Sequence, residues 1–259
     1  MMPLTKSDRD RARLNQKVAI VTGGSRGIGA AIATAFAAEG ASVAVIHHGD
    51  DDNASSTLRC LSELQKDCIA VECDVGNEQQ VEAAVDAVRR RIGTIHILVN
   101  CAGIGGARTI EETTLEFWAQ ILSVNLTGAF LMTRYCFPLM KKNRWGRIIN
   151  ISSQMAFSGG ANASAYCASK AGLIGFTRAI ALEAVQFGVL VNAIAPGATL
   201  TDMLLSCGEE HMRSILQRIP LGRFGSPEEI APTAVMLASD EGAFYVGQTL
   251  SPNGGDVLR

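Results

Sequence analysis

Tyr166 and Lys170 stand four residues apart at the end of the stretch SSQMAFSGGANASAYCASK, Ser152–Lys170. On a helix that spacing places both side chains on one face. A free phenol titrates near about 10, and an adjacent ammonium favours its ionised form. Such a pair can give or take a proton near neutral pH. Ser153 precedes Tyr166 by thirteen residues, where the apolar strand RIINIS (Arg147–Ser152) runs out. α/β proteins gather reactive groups at such strand ends. Ser152 is the competing hydroxyl, and the two-residue period of a strand turns the two serines to opposite sides. Tyr-x-x-x-Lys alone occurs in many helices, so the surrounding elements decide what it means.

A second set of residues suits phosphate. The turn TGGSRGIG, Thr22–Gly29, follows the apolar run KVAIVT and opens the helix AAIATAFAAEG, which Gly40 stops. Gly23, Gly27 and Gly29 permit a tight bend and close backbone approach. The helix start offers free N–H groups and a positive dipole end to a pyrophosphate. No Gly-Lys-Ser/Thr follows, so this is not a Walker-type loop.

The elements that position both sets alternate along the chain. After Lys17–Thr22, strands are expected at 41–48, 68–73, 95–100, 146–152, 190–195 and 248–251. Between them, helices run to about Lys66, from Asn77 to about Arg91, over about Thr114–Lys141 and from Tyr166 to about Phe187. Another spans Pro227–Ala238, with Ser226 as N-cap and Pro227 at its first position. This βαβ alternation predicts an α/β fold: a single-domain, Rossmann-type, doubly wound parallel sheet of about seven strands with helices on both faces. Residues 1–15 are polar and read as a flexible N-terminal arm. Residues 16–259 form one dinucleotide-binding catalytic domain, with 198–225 as a substrate lid. Met203, Leu204, Leu205, Met212, Ile215 and Leu216 give that lid an apolar side, which either faces substrate or packs on the body.

Composition excludes several classes. The 259 residues are 47% hydrophobic, with a net charge of −2 and a pI near 6.1, so no basic surface calls for nucleic acid. Seven cysteines, an odd count without any C-x-x-C pair, offer neither a zinc nor a redox motif. Cys167, beside Tyr166, points about 100° away on a helix and reads as packing. The four histidines, at 47, 48, 96 and 211, form no metal set. There is no secretory h-region and no apolar run of about 18 residues, so a cytoplasmic protein without a membrane span is expected.

The chain resembles the short-chain dehydrogenases/reductases over about Gln16–Asp256. The resemblance rests on TGGSRGIG, Asp74-Val75, Asn100-Cys-Ala-Gly103, Val124-Asn125, Ile151-Ser-Ser153, Tyr166-Cys-Ala-Ser-Lys170 and Pro196-Gly197, in the family's order and spacing. One departure is NCAG where the family has NNAG: Cys101 replaces an Asn that supports the central sheet. The resemblance implies an NAD(P)-dependent oxidoreductase acting on CH–OH groups, with a nicotinamide cofactor held by Gly23, Ser25, Arg26, Gly27, Ile28, Gly29, His47, Asp74, Val75, Asn100, Ala102, Gly103, Tyr166, Lys170, Pro196, Gly197 and Thr199. His47 falls where NAD-using relatives carry an acid, and Arg26 where a basic side chain meets the 2′-phosphate of NADP. Both favour NADP(H) over NAD(H), although Asp50, Asp51 and Asp52 lie near enough to repel a phosphate.

The resemblance also implies four catalytic residues. Tyr166 exchanges the proton with the substrate oxygen. Lys170 lowers the Tyr166 pKa and holds the nicotinamide ribose. Ser153 stabilises charge on the same oxygen, and Asn125 bends its helix and holds a water that links Lys170 to solvent. No metal is implied. Asn125 interrupts an otherwise apolar helix, which propensity disfavours unless the residue has work there. The motifs and the segments Leu221–Glu229 and Gln248–Gly255 look most like those of 3-oxoacyl-(acyl-carrier-protein) reductases. The expected substrate is therefore a small ketone or secondary alcohol, with an acyl-carrier-protein or CoA thioester as carrier. An NAD-dependent sugar or polyol dehydrogenase and a non-enzymatic redox sensor remain alternatives. Arg134, Lys141, Lys142, Arg144 and Arg147 either offer a basic patch for an acidic carrier or are a solvated helix end. The family's habit implies a homotetramer built on the Thr114–Lys141 and Tyr166 helices and the last strand.

Overall fold

The structure is a computed structural model and describes residues 12–65 and 67–258. Seven runs of apolar, mostly β-branched residues become strands: β1 (Val18–Thr22), β2 (Ser42–His47), β3 (Ile69–Glu72), β4 (Ile97–Asn100), β5 (Gly146–Ile151), β6 (Val189–Ile194) and β7 (Thr249–Leu250). They form one parallel sheet in the order β3-β2-β1-β4-β5-β6-β7. The chain winds outward in one direction from β1 and then in the other from β4. The two strands pair at Ala19↔Ile97 through Val21↔Val99. Ligands of such sheets bind in the crevice beyond the carboxyl ends of the strands at this reversal.

The helices cover both faces. α1 (Gly27–Ala38) and α10 (Pro227–Ala238) lie on one face, where Ile32, Phe36, Ile230 and Val235 meet Ala19, Val21 and Val99. α2 (Asp51–Leu64) contributes Leu61 to this layer. On the other face are α3 (Glu78–Ile92), α5 (Gly128–Asn143) and α7 (Ser164–Ala184). There Val85, Val88, Met132, Cys136 and Ala181 meet Ile20, Leu98 and Ile148. Alternate strand residues thus serve opposite cores, which is why the strands are apolar throughout. Asn77 caps α3 by accepting from the Gln80 N–H at 3.1 Å, and Ser226 with Glu229 forms a capping box at α10.

Two expectations are corrected. Residues 1–11 lie outside the described residues, but 12–15 are no arm: Leu14 is fully buried and Arg13 pairs with Glu39 and Glu241. The helix expected over Thr114–Lys141 starts as α4 (Leu115–Leu122), passes through a π-helical turn, Ser123–Thr127, and continues as α5. Leu115–Asn143 is long and apolar enough to cross a membrane by length and composition, yet its Met132, Cys136 and Met140 are fully buried in the core. The 198–225 segment holds α8 (Asp202–Leu205) and α9 (Glu209–Leu216). A short α6 (Met155–Ser158) follows β5.

β4 and β5 are also tied by side chains. The Asn100 amide donates to Asn150 Oδ1 at 2.8 Å and to Thr133 Oγ1 at 3.3 Å, and the Asn150 amide donates to Thr177 Oγ1 at 2.8 Å. All four residues are buried. Asn150→Ala leaves two buried donors and acceptors short of partners and opens a small cavity. We expect it to lower stability by about 2–4 kcal/mol in urea unfolding. A loss under about 0.5 kcal/mol would mean the network is not holding the sheet.

Candidate active site

The crevice at the β1/β4 reversal is lined by the glycine turn. Gly23 has φ +62°, and a Cβ there would stand 2.9 Å from the Ala102 Cα, so only glycine fits between the two loops. Gly29 packs its Cα face onto the Gly23 carbonyl, which closes α1 onto the turn. Gly27 has φ +55° and faces Thr201. Ile28 packs into the α1-side core. Arg26 is the N-cap of α1 but makes no side-chain cap, so the first N–H groups of the helix point into the crevice uncapped by any side chain. This cradle fits a pyrophosphate, and with it a nicotinamide dinucleotide. Thr22, which the sequence analysis did not single out, fixes the opposite wall: its Oγ1 accepts from the Cys101 and Ala102 N–H groups, both at 3.0 Å.

The other expected cofactor residues divide. His47 is buried at the end of β2, and its Nδ1 lies 3.6 Å from Asp51 Oδ1. Ser25 donates to Asp50 Oδ2 at 2.7 Å, and Arg26 reaches Asp50 at 3.6 Å and Asp202 at 3.2 Å. Asp74 is part-buried and accepts from the Gly76 N–H through Oδ1 at 2.9 Å. Val75 is buried against Gly128 at the start of α5. The Asn100 side chain does not face the crevice. It turns into the β4–β5 network, because the last residue of β4 points to the α5 side, and only its backbone remains for a ligand. Pro196 and Gly197 follow β6. The Pro196 carbonyl accepts from Gln154 N, Gly197 donates to Pro252, and Gly197 meets Asn253 so closely that no Cβ fits. Thr199 is buried and bridges Gly225, which closes the base of the 198–225 segment. That segment crosses the crevice, with Thr201 against Gly27 and Met203 against Gly105.

The chemical end assembles as the spacing predicts. The Ser153 hydroxyl acts on the Tyr166 phenol, and Ser153 Oγ accepts from the Met155 N–H at 3.1 Å. Ser152 faces away and donates to the Lys170 carbonyl at 2.8 Å, which separates the two serines. Lys170 Nζ donates to the Ile151 carbonyl at 2.8 Å and lies 5.7 Å from the centre of the Tyr166 ring. Asn125 sits inside the π-helical turn. Its amide donates to the Ile104 carbonyl at 3.0 Å and to Ser169 Oγ at 3.1 Å, and its Oδ1 accepts from Ile104 N–H at 2.8 Å. It pins the loop after β4 to α7 and touches neither Tyr166 nor Ser153, so it positions rather than reacts. Ser169, overlooked in the sequence, joins this chain by donating to the Tyr166 carbonyl at 2.7 Å. Its place one turn after Tyr166 was the available signal.

One electrostatic expectation is reversed. Burial pushes the Tyr166 phenol above its usual value, and the Ser153 hydrogen bond offsets this only in part. Lys170 does not lower it here, because burial brings the ammonium itself down to about 8 and its N–H is aimed at Ile151. Cys101, where the family has Asn, packs on the α1-side core, and burial pushes its thiol up to about 11. Among the described residues no group of His, Cys, Asp or Glu suits a metal. The basic side chains considered for a carrier lie elsewhere. Lys141, Lys142, Arg144 and Arg147 stand where β5 begins, opposite the crevice, and Arg134 pairs with Glu78 at 2.8 Å.

The family model described as enoyl-(acyl carrier protein) reductase matches residues 23–256. The chain is 39% identical over 243 residues to a 3-oxoacyl-(acyl-carrier-protein) reductase of Aquifex aeolicus, covering 94% of this chain and 98% of that protein. It is 41% identical over 246 residues to the Synechocystis protein of the same name, covering 95% and 98%. It is 40% identical over 243 residues to an acetoacetyl-CoA reductase of Shinella zoogloeoides, covering 93% and 99%.

Burial of Lys170 has a measurable consequence. Its ammonium titrates near 8 in the folded chain against 10.5 when free, so between these values the unfolded chain binds the extra proton. Stability contributed at this site therefore rises with pH across that window. In urea unfolding, the wild type should gain on Lys170→Met between pH 8 and pH 10. A difference that stays flat would show that Nζ is hydrated.

Proposed function

The chain belongs to the short-chain dehydrogenase/reductase family, oxidoreductases that act between keto and hydroxyl groups, and from that premise we propose that it reduces a 3-oxoacyl thioester to the 3-hydroxyacyl thioester with NADPH. The observation that carries this is the grouping of Ser153, Tyr166 and Lys170 beside a glycine-lined crevice. When bound in this crevice, the nicotinamide cofactor would supply a hydride for the carbonyl carbon. Tyr166 gives its proton to the carbonyl oxygen, and Ser153 donates a hydrogen bond to the same oxygen as charge gathers there. Lys170, anchored on Ile151 beside the Tyr166 ring, would hold the nicotinamide ribose. Gly23, Gly27, Gly29 and the start of α1 hold the pyrophosphate. Ser25, Arg26 and His47 would accommodate the 2′-phosphate, Asp74 and Val75 the adenine, and Pro196, Gly197 and Thr199 the carboxamide side. Asn125 keeps the loop after β4 in place.

Burial keeps the Tyr166 phenol in its protonated form, the form that a proton donor needs. The thioester carrier follows the names of the relatives. A carrier protein would have to dock near the 198–225 segment, since the basic side chains at the start of β5 face the other way. The assembly proposed is a homotetramer. Leu115, Phe130, Leu182 and Val185, on α4, α5 and the end of α7, are exposed apolar side chains on the helices that such an interface would use.

NADPH oxidation with acetoacetyl-CoA tests the reaction. Tyr166→Phe should lower kcat about 10²–10⁴-fold, and Ser153→Ala about 10²–10³-fold, both with intact nucleotide binding. Undiminished turnover in Tyr166→Phe would remove the assigned acid. In the wild type, kcat/KM for reduction should hold steady through neutral pH and fall on the alkaline side as Tyr166 and Lys170 lose protons. NADH outperforming NADPH in kcat/KM would overturn the cofactor assignment.

A further inference from the structure

We propose that the Asp50 carboxylate is an internal stand-in for the 2′-phosphate of NADP(H), so that the phosphate must displace it and its charge sets the margin between NADP(H) and NAD(H). The proposal rests on the NADP(H) assignment above. The two groups assigned to the phosphate, the Ser25 hydroxyl and the Arg26 guanidinium, already hold an anion. Ser25 Oγ donates to Asp50 Oδ2 at 2.7 Å, and Arg26 Nε lies 3.6 Å from the same oxygen. A hydroxyl and a guanidinium are the donors that a phosphate monoester takes. The carboxylate is held from behind as well: the Asn53 amide donates to Oδ1 at 2.8 Å, and the Asp50 carbonyl accepts the Ala54 N–H at 3.0 Å as α2 begins. Its side chain is only 19% exposed, whereas the Asp51 carboxylate next to it is 79% exposed and faces His47. Of the three acidic residues after β2, it is Asp50 that reaches Ser25 and Arg26.

Two anions cannot share these donors, because like charges at contact distance repel strongly. The loop has a means of release. Gly49, with φ +58°, turns the chain between β2 and Asp50, and nothing stands within 4 Å of where its Cβ would be. Once displaced, the carboxylate keeps its Asn53 hydrogen bond. Arg26 is freed on one side only, since its other arm is on Asp202 of α8.

The test is calorimetric binding of two probes that undergo no chemistry: 2′,5′-ADP, which carries the 2′-phosphate, and 5′-ADP, which lacks it. They are titrated into the wild type, Asp50→Asn and Asp50→Ser, with thermal melting to confirm that each variant folds. Both variants should bind 2′,5′-ADP about tenfold or more tightly than the wild type, with 5′-ADP changed by less than about twofold. If the wild type prefers 2′,5′-ADP but the variants gain nothing or lose affinity, Asp50 is not a competitor, while the NADP(H) assignment stands. If the wild type shows no preference and the variants acquire one, Asp50 is the competitor and the NADP(H) assignment falls. If neither shows a preference, both fall. Weaker 5′-ADP binding in the variants would make Asp50 a ribose ligand and overturn the proposal.

Discussion

The site depends on one buried ammonium. Lys170 has only 4% of its surface exposed, so its charge must be held by the protein. The Ile151 carbonyl provides the fixed partner, and it is available because β5 ends there: its last carbonyl points out of the sheet rather than to a neighbouring strand. Space for the ammonium comes from Gly103, where a Cβ would lie 3.3 Å from Nζ and 3.4 Å from Asn125 Oδ1. The loop carrying Gly103 is held in turn by Asn125 through Ile104 and by Thr22 through Cys101 and Ala102. The strand end, the glycine loop and the π-helical turn together hold one buried charge beside a phenol.

The π-helical turn follows from the same demand. An α-helix that continued regularly from Leu122 would keep its polar groups on the i→i−4 ladder. One wider turn projects Asn125 sideways, so that its amide spans Ile104 on one side and Ser169 on the other. Asn125 is thus buried with its amide and carbonyl both bonded, which balances the propensity cost of an Asn in an apolar helix.

Much of this was legible in the sequence, for definable reasons. Strands buried on both faces are written as unbroken β-branched runs, and their alternation with apolar-periodic helices leaves few parallel topologies. Tyr166, Lys170 and Ser153 were legible because helix and strand periods convert spacing into facing. What was not legible depended on contacts distant in sequence. The facing of Asn100 turns on whether the last residue of β4 points to the α5 side or to the crevice, and period-2 patterning cannot say which when both faces are apolar. The pKa of Tyr166 was misjudged because a four-residue spacing establishes that Lys170 is near, but not that its ammonium is desolvated and aimed at Ile151. The basic side chains around Arg144 read equally well as a carrier patch or a solvated helix end, and only the fold decides: α5 runs back along the sheet, which carries its C-terminus to the end opposite the crevice.

The two ends of the crevice treat charge in opposite ways, and the chemistry needs both. At the phenol end, burial raises the energetic stake of every charge, so protons move between few, fixed partners. At the glycine turn, charges are half-solvated and exchangeable: Arg26 divides its guanidinium between Asp50 and Asp202, the second of which opens α8 of the segment over the crevice. An anion that takes Arg26 therefore competes with contacts to the β2–α2 loop and to that segment at once. Because Thr201 rests on Gly27 and Met203 on Gly105, the segment meets both walls of the crevice. Arg26 thus joins the glycine turn to that segment. That link costs little to break, since the Arg26–Asp202 pair is exposed.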